Sequence, residues 1–405
     1  MVDAGDTAWI LMSSALVFLM TPALGFFYGG LVRKKNLANT IMMCFAAAAI
    51  ISLQWVLWGY TLAFGPTLNG VVGGLDWLGL RGVGPDPNPD YAATVPHLAF
   101  MLFQQMFAII TPALIIGAVV ERMKFSSSLL FLLIWATVVY DPLAHWVWGV
   151  GGWLRNLGAL DFAGGTVVHI NAGVAALAAA LVLRNRIGYG SGAFEPSNIT
   201  YVVLGTSLLW FGWFGFNAGS ALTSGGLAAS AFVATNTAAA AAATSWLAMS
   251  WLYKGKASII GAASGAVAGL VAITPASGFV DVLAAVVIGL VAGVLCFYAV
   301  AFRSRTRIDD SLDVWGVHGV GGTWGAIATG IFANPAVNPA GVGLLYGNPQ
   351  QLLVQLLATA SAWVYSFVLS FAILKLIDKT VGLRVRREEE LVGLDLTQHA
   401  EPAYV

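Results

Sequence analysis

Eleven apolar runs, most of them twenty residues or longer, recur along this chain with short polar connections between them, and nothing else in it restricts the fold as strongly. They lie at about 8–31, 39–64, 97–120, 126–149, 163–183, 199–222, 227–252, 257–274, 279–302, 314–333 and 350–377. A helix of about 20 residues, rising roughly 1.5 Å per residue, matches a hydrocarbon core about 30 Å thick. With 59% of its 405 residues hydrophobic and 9% charged, the chain lacks the polar surface that a water-soluble domain of this size needs. A lipid bilayer is the expected solvent.

Cations gather on the cytoplasmic side of short loops, so their placement predicts orientation. Arg33, Lys34 and Lys35 follow the first run, Arg122 and Lys124 the third, Arg184 and Arg186 the fifth, and Lys254 and Lys256 the seventh. Arg303, Arg305 and Arg307 follow the ninth, and Lys375, Lys379, Arg384, Arg386 and Arg387 accompany the last. The even-numbered connections hold only Arg81 and Arg155. The expectation is an all-α integral membrane protein of eleven transmembrane helices, with the N-terminus outside and the C-terminus inside. The first run is too long for a signal-peptide core, and no basic stretch precedes it. Cys44 and Cys296 fall inside predicted spans, as small packing residues do. A formal net charge of zero points away from nucleic-acid binding.

The outer connection at about 65–96 is rich in Gly, Pro and Asp and reads as a surface loop, while the polar segment 378–405 reads as a cytoplasmic tail behind a transmembrane domain spanning 1–377. Within that domain Gly25-Phe26-x-x-Gly29-Gly30 resembles Gly215-Phe216-x-x-Gly219-Ser220, and Val168-His169-x-x-x-Gly173 resembles Val317-His318-x-x-x-Gly322. The copies lie five helices apart, and an odd offset turns the second copy upside down. This is an inverted repeat, one copy at about 8–183 and the other at about 199–333, with helix eleven at about 350–377 added; in such folds the substrate path lies near the pseudo-two-fold axis. Glycines at 261, 265 and 269, and at 289 and 293, predict close helix packing.

His169 and His318 occupy matching places in the two copies, and histidine in lipid is costly unless it is paired or lines a cavity. An interhelical hydrogen bond serving packing alone is the bland alternative for either one. No Asp or Glu lies mid-span near them, so such a path favours an uncharged polar solute or a proton passed between rings. Most aromatic residues here face lipid or interfacial belts. Spacing selects a few: Phe103 and Phe107 are four apart, Trp213, Phe216 and Ser220 follow i, i+3, i+7, and Trp148 ends the fourth run on the outer side. Rings grouped at an outer mouth would hold a desolvated cation, and a serine hydroxyl would accept a hydrogen bond. Asp161 opens the fifth run; it suits a helix N-cap, and a buried carboxylate there also draws cations inward.

The strings Asp161-Phe-Ala-Gly-Gly-Thr-Val-Val-His169-Ile-Asn, Trp213-Phe-Gly-Phe216-Asn-Ala-Gly-Ser220, Thr235-Asn-Thr-Ala-Ala-Ala-Ala and Asp313-Val-Trp-Gly-Val-His318-Gly resemble the ammonium transporter, methylammonium permease and Rhesus superfamily, and with Gly382-Leu-Arg-Val and Gly393-Leu-Asp the likeness covers nearly the whole chain. The resemblance implies a homotrimer in the cell (inner) membrane, with one pore per subunit and neither cofactor nor metal. It implies an outer ammonium site of Phe107, Trp148 and Ser220 with Phe103 beside them, and a gate of Phe107 stacked on Phe216. Below the gate, His169 and His318 would be the twin histidines of a hydrophobic pore lined by Leu24, Leu114 and Val314, with Asp161 supporting recruitment. Trp148 and Ser220 resemble the ammonium transporter branch rather than the Rhesus branch, and imply a high-affinity scavenger that also takes methylammonium. The tail resembles those of transporters regulated by PII-type signalling proteins, although Arg386-Arg387 is a more basic stretch.

The expected activity is transport rather than enzymatic conversion. Two other classes compete. An ammonium sensor would bind in the same pore and report through the tail; flux in liposomes holding only this protein separates the two. A redox subunit with haem on His169 and His318 would show a Soret band, and the four-histidine pattern of such subunits is missing.

Overall fold

The computed structural model describes residues 1–190 and 194–404; Val405, the last residue of the expected tail, lies outside them. Among the described residues, eleven helical segments follow the apolar runs closely. They are α1 (Ala4–Leu31), α2 (Leu37–Gln54, continuing through a π-turn at Trp55–Gly59 to Tyr60–Phe64), α3 (His97–Val119) and α4 (Phe125–Trp135, a π-turn at Ala136–Tyr140, then Asp141–Trp148). The fifth, α5, begins as a π-turn at Gly165–Ile170 and continues as Asn171–Leu183. Then come α6 (Ile199–Gly219), α7 (Gly226–Lys254), α8 (Ile259–Ile273) and α9 (Val282–Ser304). The tenth, α10, repeats the plan of α5 with a π-turn at Trp315–Gly319 followed by Val320–Phe332, and α11 is Pro349–Thr380.

Among the described residues nine helices are long and apolar enough to cross a bilayer by themselves, and Ile259–Ile273 is a shorter apolar helix. Residue chemistry sets the ends. Asp3, Asn198, Ser258 and Asp281 each accept a backbone N–H three residues on, satisfying a donor that the first helical turn leaves free. Gly255, at φ 69°, closes α7 in the left-handed conformation that glycine adopts without strain.

The two copies of the repeat meet along α1 against α6 and along α5 against α10, while α8 and α9 pack on α7. Small residues permit the packing of α8 and α9 on α7: a Cβ at Gly269 or Gly289 would strike the Ala238 backbone. The outer connection is more than a polar loop. It carries a hairpin, β1 (Thr67–Leu68) against β2 (Val72–Gly73), and it sends Trp77 and Tyr91 into an aromatic cluster with Tyr60, Phe64, His97 and Phe100. Two large rings outweigh the surrounding Gly and Pro, because burying each removes well over 100 Å² of apolar surface from water.

At the opposite end of the helices, Glu121 lies between Arg33 and Arg186, and Arg186 also grips Asp309, with all three ion pairs at 2.8–2.9 Å. The tail is docked against this layer. Arg384 reaches the Leu183 and Asn185 carbonyls, Glu390 of α12 (Arg387–Val392) accepts the Ile187 N–H, and Asp395 accepts the Ala38 and Asn39 N–H groups at the start of α2.

Candidate functional site

Phe100, Gln104 and Phe107 follow one another at i, i+4 and i+7, so a single face of α3 turns toward the end of the molecule's interior beside the 65–96 connection, the expected outer end. There a cavity of about 270 Å³ is lined by Gln104, Phe107, Trp148, Asp161, Ser220 and Tyr91, among others. Phe107 stands edge-on to Trp148, with ring centroids 5.9 Å apart at 87°. The Trp148 indole N–H donates to the Asp161 carbonyl at 2.9 Å, which fixes the ring. Ser220 donates its hydroxyl proton to the Phe216 carbonyl at 2.8 Å, so the lone pairs of its oxygen remain available.

Phe103 is fully buried and does not line this cavity. Its ring lies 4.9 Å from that of Phe107 and supports it from behind. Asp161 performs the capping role thoroughly: its carboxylate accepts the N–H groups of Gly164, Gly165, Thr166 and Val167 as the π-turn begins. Burial pushes this carboxyl up to about 6, against the pull of those four amides.

The floor of the cavity is closed by Phe107 and Phe216, whose centroids are 4.3 Å apart at a tilt of 38°. Beneath them runs a constriction of about 10 Å³ lined by Leu24, Leu114, Trp213, Phe216, His169 and His318. That volume is close to the least that admits one water molecule. Farther in, a cavity of about 200 Å³ is bordered by Phe27, Tyr28, Asp313, Val314 and His318. Leu24 and Leu114 thus flank the constriction, whereas Val314 belongs to the inner cavity.

His169 and His318 ride on the two π-turns and face each other with Nδ1 atoms 3.2 Å apart. At that distance one Nδ1 donates and the other accepts, so the two tautomers are linked. His169 lies parallel to Trp213, ring centroids 5.4 Å apart, and the Trp213 N–H is anchored by Thr274 at 2.9 Å. The His169 Nε2 is buried without a hydrogen-bond partner. A polar atom left alone in an apolar conduit is costly, and a passing molecule that donates or accepts a hydrogen bond would relieve that cost. The close crossing depends on Gly173 and Gly322, since a Cβ on Gly173 would collide with the Gly319 backbone and one on Gly322 would lie 3.0 Å from the His169 Cβ.

Sequence pattern alone passes over Gln104, Tyr91 and Arg155, which also border the outer cavity. Gln104 had a signal: it is one of two adjacent amides in a mostly apolar helix, and the one in step with Phe100 and Phe107. Asp141 is likewise inconspicuous; it is fully buried within α4, but it bonds to Gln54 of α2 at 2.7 Å rather than to either histidine. Among the described residues, no group of three or more His, Cys, Asp or Glu side chains is placed to hold a metal ion.

Comparison with known proteins bears on this arrangement. The profile of the Ammonium Transporter Family matches residues 8–404. An ammonium transporter of Bacillus subtilis (strain 168) is 52% identical over 405 residues, covering 100% of this chain and 99% of that protein. The crystal structure of Candida albicans Mep2 superposes with a TM-score of 0.91 at 39% identity, covering 100% of this chain and 91% of that one. A solved structure described as a sensor Amt protein gives a TM-score of 0.89 at 31% identity, covering 98% of each chain.

Proposed function

Because this chain is a multi-pass membrane protein that belongs to the ammonium transporter family, we propose that it captures ammonium in the outer aromatic cavity, strips a proton from it and conducts ammonia inward past His169 and His318. The observation that carries this reading is the pair of imidazoles in Nδ1 contact within a constriction too narrow for a hydrated ion.

Ammonium and potassium are similar in size, so a sieve does not separate them. Losing a proton does. A bare cation in a low-dielectric passage costs many kcal/mol, and a titratable cation escapes that cost by deprotonating, which potassium cannot do. In the outer cavity Trp148 and Phe107 offer ring faces to the cation, and Ser220 offers an oxygen lone pair. Passage of the Phe107–Phe216 pair requires the rings to part. The released proton then travels separately along the linked imidazoles, making net transport electrogenic.

In this reading residues 1–377 form the transporting domain and 378–405 the cytoplasmic tail, in a homotrimer of the cell (inner) membrane with the N-terminus outside. The docked tail offers a PII-type regulator a surface next to the inner cavity. A sensing role in addition to transport is favoured by the likeness to the sensor Amt structure.

The test is purified protein in liposomes on a solid-supported membrane. Ammonium pulses are expected to evoke current, methylammonium a smaller one, and potassium none. A protein that passes potassium as readily as ammonium, or carries no ammonium at all, would overturn the proposal.

A further inference from the structure

Of the side chains bordering the outer cavity, Gln104 is the one whose chemistry the aromatic site leaves unexplained. Its Oε1 is closed to a water-sized molecule and has no hydrogen-bond partner, so it meets a ligand in the cavity that Gln104 borders after a half-turn of the terminal amide, a soft two-fold torsion that breaks no bond at that oxygen. A buried amide oxygen without a partner costs free energy comparable to a lost hydrogen bond, and the usual relief is a donor supplied from elsewhere. Helical spacing puts it on the same face of α3 as Phe100 and Phe107, four residues after the first and three before the second. It therefore shares a cavity with Trp148, Phe107 and Ser220.

We propose that Gln104 is a substrate-binding residue of the outer site, its Oε1 accepting one N–H of the bound cation while Ser220 Oγ accepts another. The proposal rests on the ammonium reading above and deepens it. Ring faces stabilise any monovalent cation and have no direction to enforce. Two oxygen acceptors on separate helices, α3 and the end of α6, impose the angular demands of a cation that carries hydrogens. They also suit methylammonium, which keeps three N–H groups and can turn its methyl toward the rings.

The test compares Gln104→Met, which keeps length but removes the acceptor, with Gln104→Glu, which keeps an acceptor oxygen. Apparent KM and maximal current for ammonium would be read in proteoliposomes, and Kd by titration calorimetry in detergent, with Trp148→Leu alongside. A charge-assisted hydrogen bond is worth enough that Gln104→Met should raise KM and Kd about tenfold at unchanged maximal current. Gln104→Glu should hold both at or below the wild-type values. If the two variants shift KM equally, or neither shifts it while Trp148→Leu does, Gln104 is only lining and this inference falls alone. A wild-type protein that neither conducts nor binds ammonium removes the inference together with the proposed function.

Discussion

At the residue scale, the proposed function divides the site into groups that hold charge and groups that refuse it. Trp148, Phe107 and Ser220 border the outer cavity, and the constriction below offers only apolar walls and two imidazoles. A desolvated cation over an aromatic face gains about 2 kcal/mol, so Trp148→Leu should raise the apparent KM for ammonium by roughly tenfold or more, measured as current against concentration. Ser220→Ala should produce a shift of the same sign. Histidines and clustered aromatics were legible in the sequence because such residues are rare or patterned within apolar runs, and their repeat-related positions tie them together. Phe103 shows the limit of spacing. It shares a helix face with Phe107, yet the cavity meets α3 along the neighbouring stripe through Phe100 and Gln104, and the width of that stripe depends on how α3 is rotated against α5 and α1.

At the scale of elements, the site depends on two π-turns and two glycines in matching positions. A π-turn inserts one residue into the helical ladder, so the side chains after it are rotated relative to a regular helix, and both histidines sit within such turns. Hydrophobic period does not reveal a single inserted residue, which is why the helix boundaries were legible and these local twists were not. Gly173 and Gly322 bring α5 and α10 close enough for the Nδ1 contact. Alanine is the better helix former by about 1 kcal/mol, so a loss of stability on substitution must come from the crossing itself. Gly173→Ala should therefore destabilise the protein by about 1–3 kcal/mol and suppress ammonium current, read as thermal unfolding in detergent and as current. Gly226→Ala, at the start of α7 with open space around it, should leave both unchanged.

At the scale of the molecule, the eleven-helix plan followed from the apolar runs, whereas the layer that joins the two copies of the repeat did not. Arg33, Glu121 and Arg186 come from the first copy and its flanking loops, and Asp309 from the second, at separations no short-range pattern encodes. Burial pushes the Glu121 carboxyl up, but Arg186 and Arg33 outweigh it and hold the group below its ordinary 4.5; Asp309 is likewise held below 3.8 by Arg186 and Arg122 against burial. Carboxylates depressed on folding add stability that is complete above their unfolded values and is lost as pH falls through the folded ones. Thermal stability in detergent should therefore decline steeply only below about pH 4.5, and Glu121→Gln, which weakens a buried network, should cost about 3 kcal/mol at neutral pH and flatten that decline. The central claim concerns what crosses the constriction, and it is tested most directly by recording current and ammonium uptake on the same proteoliposomes for wild type, His169→Leu and His318→Leu, with potassium as the competing cation. The account predicts charge movement coupled to ammonium uptake and no potassium current in wild type, with the coupling or the exclusion of potassium lost in each variant. Wild-type current, uptake and potassium exclusion retained in both variants would contradict it.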